Sequence, residues 1–232
     1  MSTDTNPVTR VPLSRSRVLR AAVGLADRGG IKSLTMRNLA QELGVEAMSL
    51  YYHVANKDEI LDGVAELVVE DVNEAVGAIS GPSAQDDWKT VMRARILTAR
   101  DVFLRHPWAP GLLESRNAMS PATVRYFNGL LGIFRQGGFS YDLAHHAMHA
   151  LGSRAMGFAQ EMFEPDTEDG GDDAATAILE EMADQLPYIV EMMMEVAHDD
   201  PDSTLGWCDD QTEFEFGLDL ILDGLERLRD KP

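Results

Sequence analysis

Apolar residues recur along this chain at three- and four-residue spacing, and no run of alternating β-branched residues bounded by turns interrupts that period. The pattern predicts an all-α protein of about ten helices. A first helix is expected over residues 14–27, with Val18, Ala22 and Leu25 on one face, Ser14 as its cap, and Gly29 and Gly30 closing it. Met36, Leu39, Ala40 and Leu43 form a second stripe, capped by Thr35 and ended by Gly44, because glycine enters a left-handed turn without a Cβ clash. A third helix is expected over 46–54, with Leu50 and Val54 on one side and Ser49, Tyr51, Tyr52 and His53 supplying polar tips on the other. Asn56 then caps a helix running to about residue 79, with Ile60, Val64, Leu67, Val68, Val72, Ala75 and Ile79 in register. At about 1.5 Å per residue this helix is roughly 35 Å long, enough to lead from one domain into another.

The second half continues in the same period. Helices are expected over about 84–104, 108–115, 121–136, 141–163, 173–196 and 211–228, separated by breakers at Gly81-Pro82, His106-Pro107, Ser120-Pro121 and Gly137-Gly138. Residues 1–12 read as a disordered arm with little to bury, and residues 163–173 as an acidic flexible loop. That loop could instead hold a divalent cation on its carboxylates, but it lacks the spacing of an EF-hand. Residues 198–209 are again acidic and contain proline.

Charge changes this picture. The chain of 232 residues carries a net charge of −19, yet between Arg10 and Lys57 eight basic residues face three acids, a net of +5, so that the remainder sums to −24. A helix, a glycine turn and a second helix within a basic island of an acidic chain read as a helix-turn-helix that tolerates a polyanion, where an uncharged hairpin of the same shape would be only a hairpin. The expected organisation is therefore a three-helix DNA-binding domain over 13–60 and a C-terminal helical domain over 61–232, which the family resemblance described next makes an effector-binding and dimerisation domain. Composition adds a 44% hydrophobic content, a negative mean hydropathy, no stretch long enough to span a bilayer and no signal-peptide core in the first residues, which together imply a cytoplasmic protein without membrane contact. The single cysteine, Cys208, cannot form an internal disulfide and is flanked by Asp209 and Asp210, which disfavour its thiolate. No nucleophile motif or phosphate-binding glycine loop points to an enzyme, and no cofactor is implied.

The segments LSRSRVLRAAVGLADRGGIKSLTMRNLAQELGVEAMSLYYHVANKDEILDGV, over 13–64, GFSYDLAHHAMHALGSRAMGFAQE and FEFGLDLILDGLERL resemble the TetR family of transcriptional regulators, in the branch with a tetracycline-repressor type of C-terminal domain. The resemblance implies a homodimer with two DNA-binding heads, an effector pocket in each C-terminal core, and repression of a palindromic operator that a small molecule relieves. It implies that the helix beginning near Glu46 is the recognition helix, that Tyr51, His53 and Lys57 contact phosphates, and that Arg37 reads a base, for which a phosphate contact or a solvated surface position is the alternative. Thr35 could cap its helix and touch phosphate at once. Ser49 and Tyr52 complete the exposed face. Where the tetracycline repressor has glutamine followed by proline, this chain has Ala47 and Met48, which can meet a thymine methyl but cannot hydrogen-bond a base edge.

In the C-terminal part, Glu161 aligns with an acidic magnesium-site residue of the tetracycline repressor, but Glu114 stands in place of its histidine and Arg95 in place of a drug-contacting asparagine. An effector other than tetracycline, polar or charged, is implied. Asn73 and Asn117 join Arg95 and Glu114 as candidate polar contacts, with Phe127, Leu131, His145 and Met148 as candidate walls; Phe127, Leu131 and Met148 read equally as core. His145 and His149 stand one helical turn apart without a local third ligand, so a metal site is not expected there. Met182, Met192, Met193 and Met194 read as core or dimer packing. Phe214, Leu218, Ile221, Leu222, Leu225 and Leu228, opposite the small residues Ala144, Ala147, Gly152 and Ala155, either build a four-helix dimer interface or complete the monomer core.

Overall fold

A computed structural model describes residues 12–116, 120–157, 185–188 and 210–230. Asn117, Glu161, Cys208, the methionines from 182 to 194, the arm at 1–11, the acidic loop at 163–173 and most of the helix expected over 173–196 lie outside the described residues. Those that are described form nine α-helices and one 3-10 turn, with no strand among them: α1 Arg15–Gly29, α2 Met36–Leu43, α3 Ala47–Leu50, α4 Lys57–Gly77, α5 Ala84–Arg105, α6 Ala109–Ser115, α7 Pro121–Gln136, α8 Tyr141–Gly157 and α9 Asp210–Arg229. The chain divides into two compact units, one ending at Gly138 and the other beginning at Phe139. No described helix is long and apolar enough to cross a membrane.

Helix starts in the first unit follow capping side chains. Ser14 accepts from the Arg17 amide, Thr35 from Asn38, Asn56 from Glu59, Ser83 from Asp86 and Ser120 from Thr123, each satisfying a backbone donor that the first turn leaves open. Helix α5 restarts at Asp87, whose φ of −152° breaks the helix and whose carboxylate accepts from the Thr90 amide at 3.0 Å. At the other end of α2, Gly44 adopts φ 64°. The Val45 amide then reaches the Ala40 carbonyl at 3.0 Å and the Gly44 amide that of Gln41 at 3.1 Å, the paired bonds of a Schellman stop.

One expected helix is much shorter in the structure. The recognition segment is helical only from Ala47 to Leu50, after which Tyr51–His53 turn back with the His53 and Val54 amides both on the Leu50 carbonyl, at 2.9 and 3.0 Å. Leu50 and Val54 are both buried, and Asn56 must be extended, at φ −163°, to cap α4. Six residues cannot bury both anchors, reverse and reach that cap while remaining helical. Helix α4 likewise stops at Gly77, leaving Ile79 exposed beyond it.

Helix α4 joins the head to the remainder of the first unit. Its buried residues Ile60, Val64, Val68, Val72 and Val76 belong to one continuous core with Val18, Leu19, Ala22, Leu39 and Leu50 of the head and with Val102, Trp108 and Leu112 further along. Gly63 sits where α4 meets α1, and a Cβ there would lie 2.7 Å from Leu19 Cδ2. In the second unit, Phe214, Leu218, Leu222 and Leu225 of α9 and Ala144, Ala147 and Leu151 of α8 are buried within one chain. Much of the face that sequence left open between dimer and core therefore serves the core. The outward side of α9 carries Phe216, Leu220 and Leu228 instead, exposed at 61%, 58% and 46%.

Two outcomes are expected. Gly63→Ala should lower stability by about 1–2 kcal/mol in urea denaturation, because overpacking against Leu19 exceeds the gain in helix propensity. Gly81→Ala, with open space around it, should be near neutral; equal behaviour of the two would contradict the close approach. The Glu59 carboxylate is held below its usual value by the Ala55 amide and then by Arg15. A carboxylate with a depressed folded pKa contributes fully above its unfolded value and is lost as pH falls through the folded one. Glu59→Gln should therefore cost stability at pH 6–7 and progressively less as the pH falls below 4.5, the carboxylate's ordinary value, in thermal melts across that range.

Candidate nucleic-acid interface and ligand groove

The head places its candidate contacts on an open surface. Met48 is 72% exposed, Tyr52 87% and Tyr51 46%. Thr35, Arg37 and Lys57 are exposed, while Ser49 and His53 are half-buried. Ala47 departs from its expected neighbour: it is half-buried and packs against the core. Of the two apolar residues at the start of α3, Met48 is the one presented to solvent.

Charge pairing within the head is uneven. Arg15 bonds Glu59 at 3.2 Å and Arg28 bonds Glu42 at 2.8 Å, so two arginines are spent on acids. Among the described residues, Arg20, Lys32, Arg37 and Lys57 are exposed and make no ion pair. Free cations beside exposed tyrosines and a methionine at the start of a short helix can neutralise phosphates and meet base edges.

The head is also fastened at two places that sequence reasoning did not single out. The Asp27 carboxylate, near the end of α1, accepts from Trp108 Nε1 at 2.7 Å and lies 2.8 Å from His106 Nδ1, at the α5–α6 junction. Arg116, just after α6, donates from Nε to Asp62 at 2.6 Å and from Nη1 and Nη2 to Asp58 and its carbonyl at 3.2 Å, all on α4. The Asp62 and Asp58 bonds raise the Arg116 pKa against the opposing effect of desolvation. The seven residues of α6 are thus bound at one end to α1 and at the other to the head-proximal turns of α4. No local motif marks these pairs, because Asp27 and His106 are 79 positions apart.

The candidate effector residues separate on inspection. Asn73 of α4 donates to the Ala122 carbonyl at 2.9 Å and ties α4 to the start of α7, so its amide already has a structural task. Glu114 is exposed on α6, Phe127 is 37% exposed on α7, and Leu131 is half-buried there. In the second unit, His145 is exposed and Met148 half-buried on α8, and the His145 and His149 rings stand edge to face at 4.6 Å. No cluster of three metal-ligating side chains occurs among the described residues. A groove in the first unit runs between α4, α5 and α7, with a cavity volume of about 180 Å³. Its walls are Val76, Ile79, Thr90, Val91, Ala94 and Ile133, closed by Ser80–Pro82, and of the candidate ligand contacts only Arg95 lines it.

Comparison with known proteins accords with this arrangement. The family model for the N-terminal domain of bacterial regulatory proteins of the tetR family matches residues 18–64. The model described as tetracyclin repressor-like, C-terminal domain, matches residues 81–229. The tetracycline repressor protein class C of Escherichia coli is 29% identical over 220 residues, 94% of this chain and 92% of that protein. The transcriptional repressor DrrR1 of Streptomyces coeruleorubidus is 29% identical over 223 residues, 93% of this chain and 78% of that protein. Among solved structures, ActR of Streptomyces coelicolor in complex with actinorhodin is similar with a TM-score of 0.74 at 26% identity, covering 95% of this chain and 100% of that chain. With a helix-turn-helix head and a C-terminal helical domain that both match, the chain belongs to the TetR family of transcriptional regulators.

Proposed function

We propose that this regulator is a homodimeric repressor that holds a palindromic operator through two heads and releases it when a small-molecule effector binds the C-terminal part. The observation that carries the reading is the exposed row of Met48, Tyr51 and Tyr52 beside the unpaired Arg37 and Lys57. Thr35, Arg37, Met48, Ser49, Tyr51, Tyr52, His53 and Lys57 are the proposed DNA contacts, with residues 13–60 as the functional head and 61–232 as the effector and dimer part. A dimer is supported by the second apolar row of α9, Phe216, Leu220 and Leu228, which the buried row does not use. Two-fold symmetry would set the heads about 34–36 Å apart, one turn of DNA. The chemistry is binding rather than catalysis, and the regulator acts in the cytoplasm, where its operator is.

Release follows from the fastenings of α6. An effector that displaces α5 or α7 shifts His106, Trp108 and Arg116, and these pull on Asp27 of α1 and on Asp58 and Asp62 of α4. A small rotation at α4 is enough to misplace two heads that must enter successive grooves together. Arg95, Glu114, Asn117, Phe127, Leu131, His145 and Met148 remain the proposed effector contacts. Asn73 joins them only if the Ala122 bond opens. DrrR1 is named a repressor and ActR is seen with actinorhodin, which supports a repressor with a ligand-bound state in this chain.

Selection of bound duplexes from random DNA tests the reading. The whole chain should enrich an inverted repeat, and Met48→Gln should change base preference at one symmetric pair of positions by about tenfold, the discrimination of roughly 1–3 kcal/mol that one base contact supplies. Ala47→Gln, at a half-buried position, should change it less. Enrichment of no repeat, or the same preference in Met48→Gln, would count against the proposed head contacts.

A further inference from the structure

The groove between α4, α5 and α7 has apolar walls broken by Ser80 and Thr90, and its one charged lining residue, Arg95, has no counter-ion among the described residues. Arg95 is half-buried, and its Nε is fully buried with no hydrogen-bond partner. Its Nη2 reaches only the Tyr126 carbonyl, at a long 3.5 Å, and its Cζ stands 5.0 Å from the centre of the Tyr126 ring. No acidic side chain among the described residues pairs with it. Burial holds the Tyr126 phenol up at about 12, so that ring is neutral and offers a π face rather than a charge. Desolvation lowers the Arg95 pKa, but a guanidinium stays protonated at neutral pH.

This arrangement is costly for the empty protein. A desolvated guanidinium with an unmet donor destabilises unless something completes it. Position 129 is moreover a glycine on which a Cβ would fall 2.9 Å from Arg95 Cζ, so α7 leaves room for the guanidinium to lie flat. A planar fork with free N–H groups, at the edge of a groove with apolar walls on one part of its lining, matches a carboxylate more closely than any neutral group, because two parallel charge-assisted bonds form at once. The walls Val76, Ile79, Val91, Ala94 and Ile133 take a hydrocarbon part. The volume of about 180 Å³ suits a single ring or a short chain.

We infer that the effector is a small amphiphilic organic acid whose carboxylate pairs with Arg95 while its apolar part fills the α4–α5–α7 groove. The inference rests on the effector-site reading above, of whose contacts it uses Arg95 alone, and gives it a ligand class.

The test uses the full chain, with benzoate, phenylacetate and octanoate as probes and benzamide, phenylacetamide and octanamide as their neutral partners, in thermal-shift titrations. At least one acid should stabilise the wild type, with its amide binding at least tenfold more weakly. Arg95→Gln should weaken that acid roughly tenfold to a hundredfold, the range expected for losing a charged hydrogen-bonded partner, and Arg95→Lys should fall between. The ligand-free Arg95→Met protein should melt at the same temperature as the wild type or higher, since removing an uncompensated cation relieves a cost. The inference is overturned if no acid binds, if acids and amides bind alike, if Arg95→Gln binds the acid as the wild type does, or if ligand-free Arg95→Met melts lower. Binding to the selected duplex, followed in parallel, separates the two readings: a ligand-free wild type that binds no duplex refutes the regulator, while duplex binding without acid response refutes only the ligand class.

Discussion

Any approach of this chain to DNA is made against repulsion. With −24 outside the basic island, most of the molecule is repelled by a phosphate backbone, and the head can act only if its few positive charges are left free to face it. The arrangement of charges reflects that constraint. Glu42 is matched to Arg28 and Glu59 to Arg15, and Asp27 is turned into the α5–α6 junction, where Trp108 and His106 occupy its carboxylate. What remains outward on the head is Arg20, Lys32, Arg37 and Lys57, with the exposed rings of Tyr51 and Tyr52 among them. Asp27, Glu42 and Glu59 thereby serve as fasteners, while Glu46, at the start of α3, stays exposed and without an ion pair among the described residues.

The same fasteners give the head a defined position relative to its own unit. Helix α4 contributes Ile60 and Val64 to the head and Val72 and Val76 to the packing further along, within one uninterrupted core. A helix so buried moves as a body, because sliding one stretch of the stripe unseats the other. Asp27 with Trp108, and Arg116 with Asp58 and Asp62, then tie the short α6 to both α1 and α4. Binding energy gained in a groove on α4, α5 and α7 thus has a short physical route to the orientation of α2 and α3.

Much of this was legible in the chain because it is local. Ser14, Thr35, Asn56 and Ser120 announce helix starts that the structure keeps, and Gly44 marks the turn between α2 and α3 at its positive φ. The pattern misled where long-range geometry overrode it. Tyr51–His53 continue a helical period, yet the chain must reverse there to bury Val54 and reach the Asn56 cap, so the helix ends at Leu50. Alanine at 47 reads as a groove contact by position, but its Cβ packs inward. Periodicity also cannot tell whether a row faces its own core or a partner, which is why the row of Leu218 and Leu222 on α9 was assigned to the core only by its burial. The candidate site residues followed the same division: Arg95 was singled out through the family resemblance, whereas Asp27, His106 and Arg116 meet partners tens of positions away and carry no local signature.

The most direct measurement is the affinity of the whole chain for its selected duplex as a function of salt between 50 and 300 mM. Two heads with up to four free cations each should give a log–log slope of roughly −4 to −7, at about −0.9 per phosphate neutralised, since not every cation meets a phosphate. A slope near zero, or tighter binding at higher salt, would mean that the basic head does not engage the phosphate backbone.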